Sequence, residues 1–155
     1  MTTRKDTIFE QFLAPIFSEY LIDGAAIRQQ QDGINWEEAI AQFENPTLIY
    51  PAYYQTGNFH GIEGGYLTQS AAVTYDPVTQ YVLPPSEDWI RQSVIDAIAG
   101  QPQRILDLGC GTGSTTLKLK LAFPEARVIG LDLSPHMLVI AAQKAQAANL
   151  DIEWL

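Results

Sequence analysis

The chain has 155 residues, of which 46% are hydrophobic and 17% charged, and its net charge is −9. This composition is typical of a folded globular protein rather than a disordered one, and no apolar run approaches the length of a membrane span. We therefore expect a cytoplasmic protein. A single cysteine, Cys110, excludes an internal disulfide, and two histidines far apart in sequence form no recognisable metal site.

The acidic surplus lies in the N-terminal part of the chain. Residues 1–100 carry 13 acidic side chains against four Lys and Arg, whereas residues 101–155 carry five of each kind. Such a surface would repel the phosphates of a nucleic acid. We expect a small neutral or cationic molecule, or a protein, as the partner, and neither a nucleic acid nor a membrane.

Residues 1–85 are predicted to form a helical and irregular region. Apolar residues at helical spacing predict a first helix from Thr7 to Ile22, and a second one begins at the cap Asn35 and ends near Phe43. From Tyr50 to Pro85 the sequence is rich in Gly, Pro and aromatic residues, which predicts an irregular stretch.

One segment of that stretch, residues 53–66, combines aromatic side chains with four glycines, His60 and Glu63. Loops of this kind often carry binding residues. His60 could act as a general base because its ordinary pKa is close to neutrality, and Glu63 could bind a cationic group. The alternative is a structural loop in which His60 is hydrogen-bonded and the aromatic side chains pack on the sheet or shape a pocket.

Residues 86–155 alternate between helix and strand patterns. Helices are predicted from Ser86 to Gly100, over 113–122 and from Pro135 to Ala148, and strands over 104–108, over 127–132 and from Ile152 onward. This alternation predicts an α/β fold, in which helices cover the faces of a parallel sheet.

A glycine-dense turn, with the sequence D-L-G-C-G-T-G over residues 107–113, joins the first strand to the following helix. Its glycines allow a tight turn and a close approach of the backbone to a ligand. The third glycine follows the second by two residues instead of three, and Asp107 stands where dinucleotide sites usually have an apolar residue. The spacing therefore disfavours an NAD-type oxidoreductase, which remains an alternative.

The second predicted strand ends in another acid, Asp132, before Leu133 and a helix start at Ser134-Pro135. An acid in this place can accept hydrogen bonds from the ribose hydroxyls of a nucleoside cofactor, and capping of the helix is compatible with that role. Together the two segments resemble the motifs of class I S-adenosylmethionine-dependent methyltransferases that act on small molecules. The resemblance covers residues 86–155.

The resemblance implies a Rossmann-like sheet, S-adenosylmethionine as the cofactor and methyl transfer to a small organic acceptor. The implied cofactor-binding residues are Asp107, Gly109, Cys110, Gly111, Gly113, Asp132 and Leu133. The glycines would lie under the methionine part, and Tyr75 could reach its carboxylate. Asp107 would face the amino group, Asp132 the ribose and Leu133 the adenine. A catalytic thiol at Cys110 is the alternative role for that residue, because a thiolate is a nucleophile.

The resembled fold has seven strands, of which this chain contains the first three. We therefore expect an incomplete Rossmann-like parallel sheet in a truncated cofactor domain, residues 86–155, preceded by a lid region, residues 1–85. The first strand would have an exposed edge, which predicts a homodimer or a longer parent protein. A non-catalytic interaction protein that dimerises is the alternative function.

Overall fold

The computed structural model describes residues 23–52, 54, 65–82 and 87–155. The predicted helix from Thr7 to Ile22, the candidates His60 and Glu63, and the predicted cap Ser86 lie outside the described residues. No helix in the described ranges is long and apolar enough to cross a membrane.

The C-terminal region is built on a three-stranded parallel sheet with the strand order β1-β2-β3. The strands are β1 (Arg104–Leu108), β2 (Arg127–Leu131) and β3 (Glu153–Trp154). The helices around them are α4 (Glu87–Asp96), α5 (Ser114–Ala122) and α6 (Pro135–Ala147). This arrangement confirms the predicted α/β fold with three parallel strands.

Local chemistry explains the ends of α6. The hydroxyl of Ser134 accepts a hydrogen bond from the backbone N–H of Met137. Pro135 occupies the first turn, where a backbone N–H would have no acceptor within the helix, so its lack of an N–H costs no hydrogen bond. At the other end, Asn149 adopts a left-handed conformation with φ of 53°. The sequence predicted both ends of this helix.

Among the described residues before the sheet region, three further helices are α1 (Gly24–Asp32), α2 (Trp36–Ala41) and α3 (Gln69–Val82). The sequence predicted the second of them and missed the first. The Oδ1 atom of Asp23 caps α1 by accepting hydrogen bonds from the backbone N–H groups of Ala25 and Ala26.

The prediction of an irregular stretch between Tyr50 and Pro85 is wrong for residues 69–82, because they form α3 around an internal proline, Pro77. A proline inside a helix costs roughly 3 kcal/mol or more. Tertiary packing stabilises the helix despite that cost, since residues 71–73 are at most 2% exposed. The hydroxyl of Thr68 also caps the helix by accepting a hydrogen bond from the Ala71 N–H.

Two apolar clusters form the core of the part of the chain that the structure describes. The first joins α2 and α3 to α6 and contains Trp36, Ala71, Ala72, Val73, Met137, Val139 and Ile140. The second lies between the sheet, α4 and α5 and contains Ile95, Leu119, Phe123, Ala126 and Val128. The first cluster fixes α3 against the helix that begins just after Asp132, and this packing brings α3 to the glycine turn.

β1 pairs only with β2 within the described part of the chain. On one face of β1, the side chains of Leu106 and Leu108 are 58% and 75% exposed. This apolar surface lies on a face of the sheet, beside the strand edge that the sequence predicted to be open.

Candidate cofactor site

The turn after β1 depends on a left-handed backbone at alternate residues. Gly109, Gly111 and Gly113 have φ values of 76°, 54° and 75°, a region that side chains with a Cβ rarely adopt. The backbone N–H groups of Gly109 and Cys110 donate to the carbonyl oxygen of Leu131 at 2.8 and 3.0 Å. The turn is therefore fixed to the carboxyl end of β2.

The three glycines have different surroundings. Among the described residues, a Cβ added at Gly109 would meet nothing within 4 Å, and one at Gly111 would lie 3.7 Å from the ring of Tyr75. A Cβ at Gly113 would lie 2.7 Å from Trp154 and 2.9 Å from Ala141, inside the packing of β3 against α6. Gly109 and Gly111 therefore lie on the open side of the turn, whereas Gly113 faces the interior.

Asp132 connects the two sequence motifs. Its Oδ2 atom accepts a hydrogen bond from the Gly111 N–H at 2.8 Å, and its Oδ1 atom accepts one from the Ser134 N–H at 2.9 Å. Each carboxylate oxygen has a second lone pair, so Asp132 retains the capacity to accept bonds from ligand hydroxyls. The residue that follows, Leu133, is half-buried.

Asp107 holds the start of α5 beneath the turn. Its Oδ2 atom accepts a hydrogen bond of 2.6 Å from the hydroxyl of Thr116, which is fully buried. A short bond between a hydroxyl and a carboxylate is among the stronger hydrogen bonds in proteins. Asp107 thus has a structural bond in addition to any contact with a ligand.

Cys110 points away from the open side of the turn. It is 8% exposed, and its Sγ atom lies 3.1 Å from the place of a Cβ at Gly130. Burial, reinforced by the nearby carboxylates of Asp132 and Asp107, raises the pKa of the Cys110 thiol to about 12. The thiol stays protonated at neutral pH, which argues against the alternative role of Cys110 as a nucleophile.

A cavity of about 160 Å³ opens beside the turn. The residues that line it come from both motifs and from the N-terminal region: Tyr54, Tyr66, Tyr75, Gly109, Gly111, Asp132 and Met137. Sites for whole small-molecule ligands usually measure roughly 300–1,000 Å³. The enclosed space therefore fits one part of a ligand, and we call it the tyrosine cavity.

A polar cluster on the other side of the turn was not predicted from the sequence. The Oδ1 atom of Asp76 on α3 accepts hydrogen bonds from the hydroxyls of Thr112 at 2.6 Å and Ser114 at 3.1 Å. Its Oδ2 atom accepts one of 2.7 Å from the ammonium group of Lys144 on α6, which also donates to Ser114. This Asp76 cluster ties α3 to the glycine turn and to α6.

A second, larger cavity of about 670 Å³ lies beyond the start of α6. Tyr50, Glu44 and His136 are among the residues that line it. Burial lowers the pKa of His136, and the carboxylate of Glu44 acts in the opposite direction. None of the residues lining this cavity also lines the tyrosine cavity within the described ranges.

The segment that contains the glycine turn and Asp132 is similar to known methyltransferases. Residues 105–155 match the family model described as a methyltransferase domain. This match over a third of the chain supports a class I S-adenosylmethionine-dependent methyltransferase fold for residues 105–155. The match begins inside β1 and includes the glycine turn, Asp132 and β3.

Two relatives are demethylmenaquinone methyltransferases. The Thermus thermophilus protein is 46% identical over 67 residues, which are 43% of this chain and 30% of that protein. The Deinococcus radiodurans protein is 36% identical over 86 residues, 55% of this chain and 36% of that protein. The chain thus spans about a third of the length of these curated relatives.

One similar solved structure is that of phosphoethanolamine N-methyltransferase 2 from Haemonchus contortus in complex with S-adenosyl-L-methionine. Its TM-score with this chain is 0.48, at 18% sequence identity. The match covers 68% of this chain and 24% of that one.

Proposed function

We propose that this chain binds S-adenosylmethionine at the glycine turn and takes part in methyl transfer to a small organic acceptor. The observation that carries the proposal is the hydrogen bond from the Gly111 N–H to Asp132 Oδ2. It joins the turn to the acid that would bind the ribose, and both residues line one cavity. The open space that the described residues leave around a Cβ at Gly109 also fits close approach of a ligand to the backbone.

The proposed roles follow the surroundings of each residue. Gly109 and Gly111 would support the methionine part through their backbone, and Asp132 would accept hydrogen bonds from the ribose hydroxyls. Leu133 would pack on the adenine, and Asp107 would contact the amino group, directly or through water. For Gly113 and Cys110 we propose an indirect role, because both side-chain positions face the interior of the domain.

S-adenosylmethionine, when bound, would supply a methyl group already activated on a sulfonium, so the main task of the chain's residues would be to bind and orient the reactants. The acidic N-terminal region supports a neutral or cationic acceptor over a nucleic acid. A cytoplasmic location remains a prediction.

Two substitutions test the site. Gly111→Val should abolish binding of S-adenosylhomocysteine, because a branched side chain is strained at φ of 54° and would meet the ring of Tyr75. Asp132→Ala should weaken binding by about 1–3 kcal/mol through lost hydrogen bonds.

Gly100→Val is the matched control, since Gly100 has φ of 76° and lies outside the cavity. Equal affinity of all three variants for the product, measured by calorimetry, would refute the assignment.

The second candidate function is a non-catalytic partner that associates through the open edge of β1. The exposed side chains of Leu106 and Leu108 favour it, since unpaired edges with apolar surface promote association. Sedimentation should then show a dimer that Leu108→Lys converts to monomer. A wild-type chain that stays monomeric at high concentration would refute this association.

A further inference from the structure

Three tyrosine rings surround the tyrosine cavity. The ring centroids of Tyr54 and Tyr66 lie 6.3 Å apart, and those of Tyr66 and Tyr75 lie 6.4 Å apart. The ring planes meet at 54° and 63°, so the rings are steeply inclined to one another instead of stacked, and all three line the cavity. We propose that Tyr54, Tyr66 and Tyr75 form an aromatic cage that binds a small onium cation, either a sulfonium or an alkylammonium group.

The electrostatics of the rings support this ligand. The face of an aromatic ring carries negative potential, which attracts a cation within about 6 Å of the ring centre. The attraction is larger where water is excluded, and cages of this kind recognise quaternary ammonium groups. Burial is the main cause that raises the pKa values of Tyr66 and Tyr75, so both phenols are neutral at physiological pH.

One acidic side chain beside the rings also favours a cationic ligand. Asp132 is the charged residue among the described lining residues, and it would attract a cation. Beyond the lining, Glu87 and Asp76 lie close enough to raise the pKa of Tyr75, while Arg91 lowers it. Glu87 is paired with Arg91 and Asp76 with Lys144, so these four charges largely cancel in pairs and the attraction comes from Asp132.

The size of the cavity restricts the ligand group. A volume of about 160 Å³ suits a sulfonium or trimethylammonium group with its nearest carbons, and it is too small for a whole nucleoside cofactor. The proposal rests on the proposed function in one respect, because S-adenosylmethionine carries such a sulfonium. Its demethylated product is a neutral thioether, so the cage would hold the methyl donor more tightly than the product.

Calorimetry with the donor and the product tests the cage. We expect Tyr75→Leu to weaken binding of S-adenosylmethionine by roughly 3- to 30-fold and to leave S-adenosylhomocysteine within about twofold. Tyr75→Phe should keep the preference because it keeps the ring. Tyr50→Leu is the matched control, since Tyr50 lines the larger cavity. An equal loss for donor and product in Tyr75→Leu would overturn the sulfonium as the bound group.

A second titration separates the two sources of cation. Tetramethylammonium chloride, added to the protein saturated with S-adenosylhomocysteine, should bind wild type and lose affinity in Tyr75→Leu if the cage receives an ammonium group of the acceptor. If Tyr75→Leu does not fold, Tyr66→Leu replaces it in both titrations. The absence of a Tyr-dependent cation preference in both titrations would overturn the cage.

The two proposals fail in distinguishable ways. If neither S-adenosylmethionine nor its product binds the wild-type chain, the proposed function fails. Titration of the ligand-free protein with tetramethylammonium then tests the aromatic cage independently. Binding that Tyr75→Leu weakens would support the cage, and no binding would overturn it. If the product binds but Tyr75→Leu leaves the affinity for both cations unchanged, the aromatic cage is refuted and the proposed cofactor site is retained.

Discussion

Replacement of Asp76 by alanine should destabilise the fold by about 1–4 kcal/mol. Most of the loss comes from Thr112, a residue that is 1% exposed and whose hydroxyl donates to Asp76 at 2.6 Å, because a buried donor left without a partner costs about 1–3 kcal/mol. The ion pair with Lys144 adds about 0–1 kcal/mol, because the Lys144 and Asp76 side chains are 29% and 35% exposed and water screens the pair.

Urea unfolding, followed by circular dichroism, measures this loss. Asp88→Ala is the matched control, because Asp88 also pairs with a lysine, Lys118, but its side chain is 74% exposed. The control should change stability by less than about 0.5 kcal/mol. Asp76→Asn should have an intermediate effect, since the amide oxygen can still accept from Thr112. If Asp76→Ala is no more destabilising than Asp88→Ala, the Asp76 cluster does not hold the turn.

Two further predictions concern the interior of the turn. Gly113→Ala should cost about 1–3 kcal/mol more than Gly100→Ala in the same unfolding assay, because both positions are left-handed but only Gly113 would bring its Cβ against Trp154. Equal losses would mean that backbone strain alone matters. Cys110 should react slowly with iodoacetamide at pH 8 in the folded protein and rapidly in denaturant, because burial raises the pKa of its thiol to about 12. Fast alkylation of the folded chain would contradict the burial of Cys110.

The parts of the fold that the sequence predicted depend on local patterns. β1 and β2 are short apolar segments next to a glycine turn, and α6 has a cap at Ser134 and a left-handed residue at Asn149. Each of these signals lies within a few residues of the feature it predicts. The confirmed α/β architecture follows from their order along the chain.

The missed parts depend on contacts between distant residues. α3 contains Pro77, and its stability comes from burial against α6, which no local pattern reveals. The Asp76 cluster joins residues 36 and 68 positions apart, and its members are ordinary surface residue types in sequence. The aromatic content of residues 53–66 indicated a pocket, but not which rings would face it.

The most direct test of the cofactor site is a calorimetric titration of the chain with S-adenosylhomocysteine, with NAD titrated under the same conditions and the mass in solution measured in the same buffer. We predict saturable, stoichiometric binding of S-adenosylhomocysteine at micromolar concentrations and no measurable binding of NAD. A folded chain that binds neither compound, or that prefers NAD, would contradict the proposal that the glycine turn and Asp132 form an S-adenosylmethionine site.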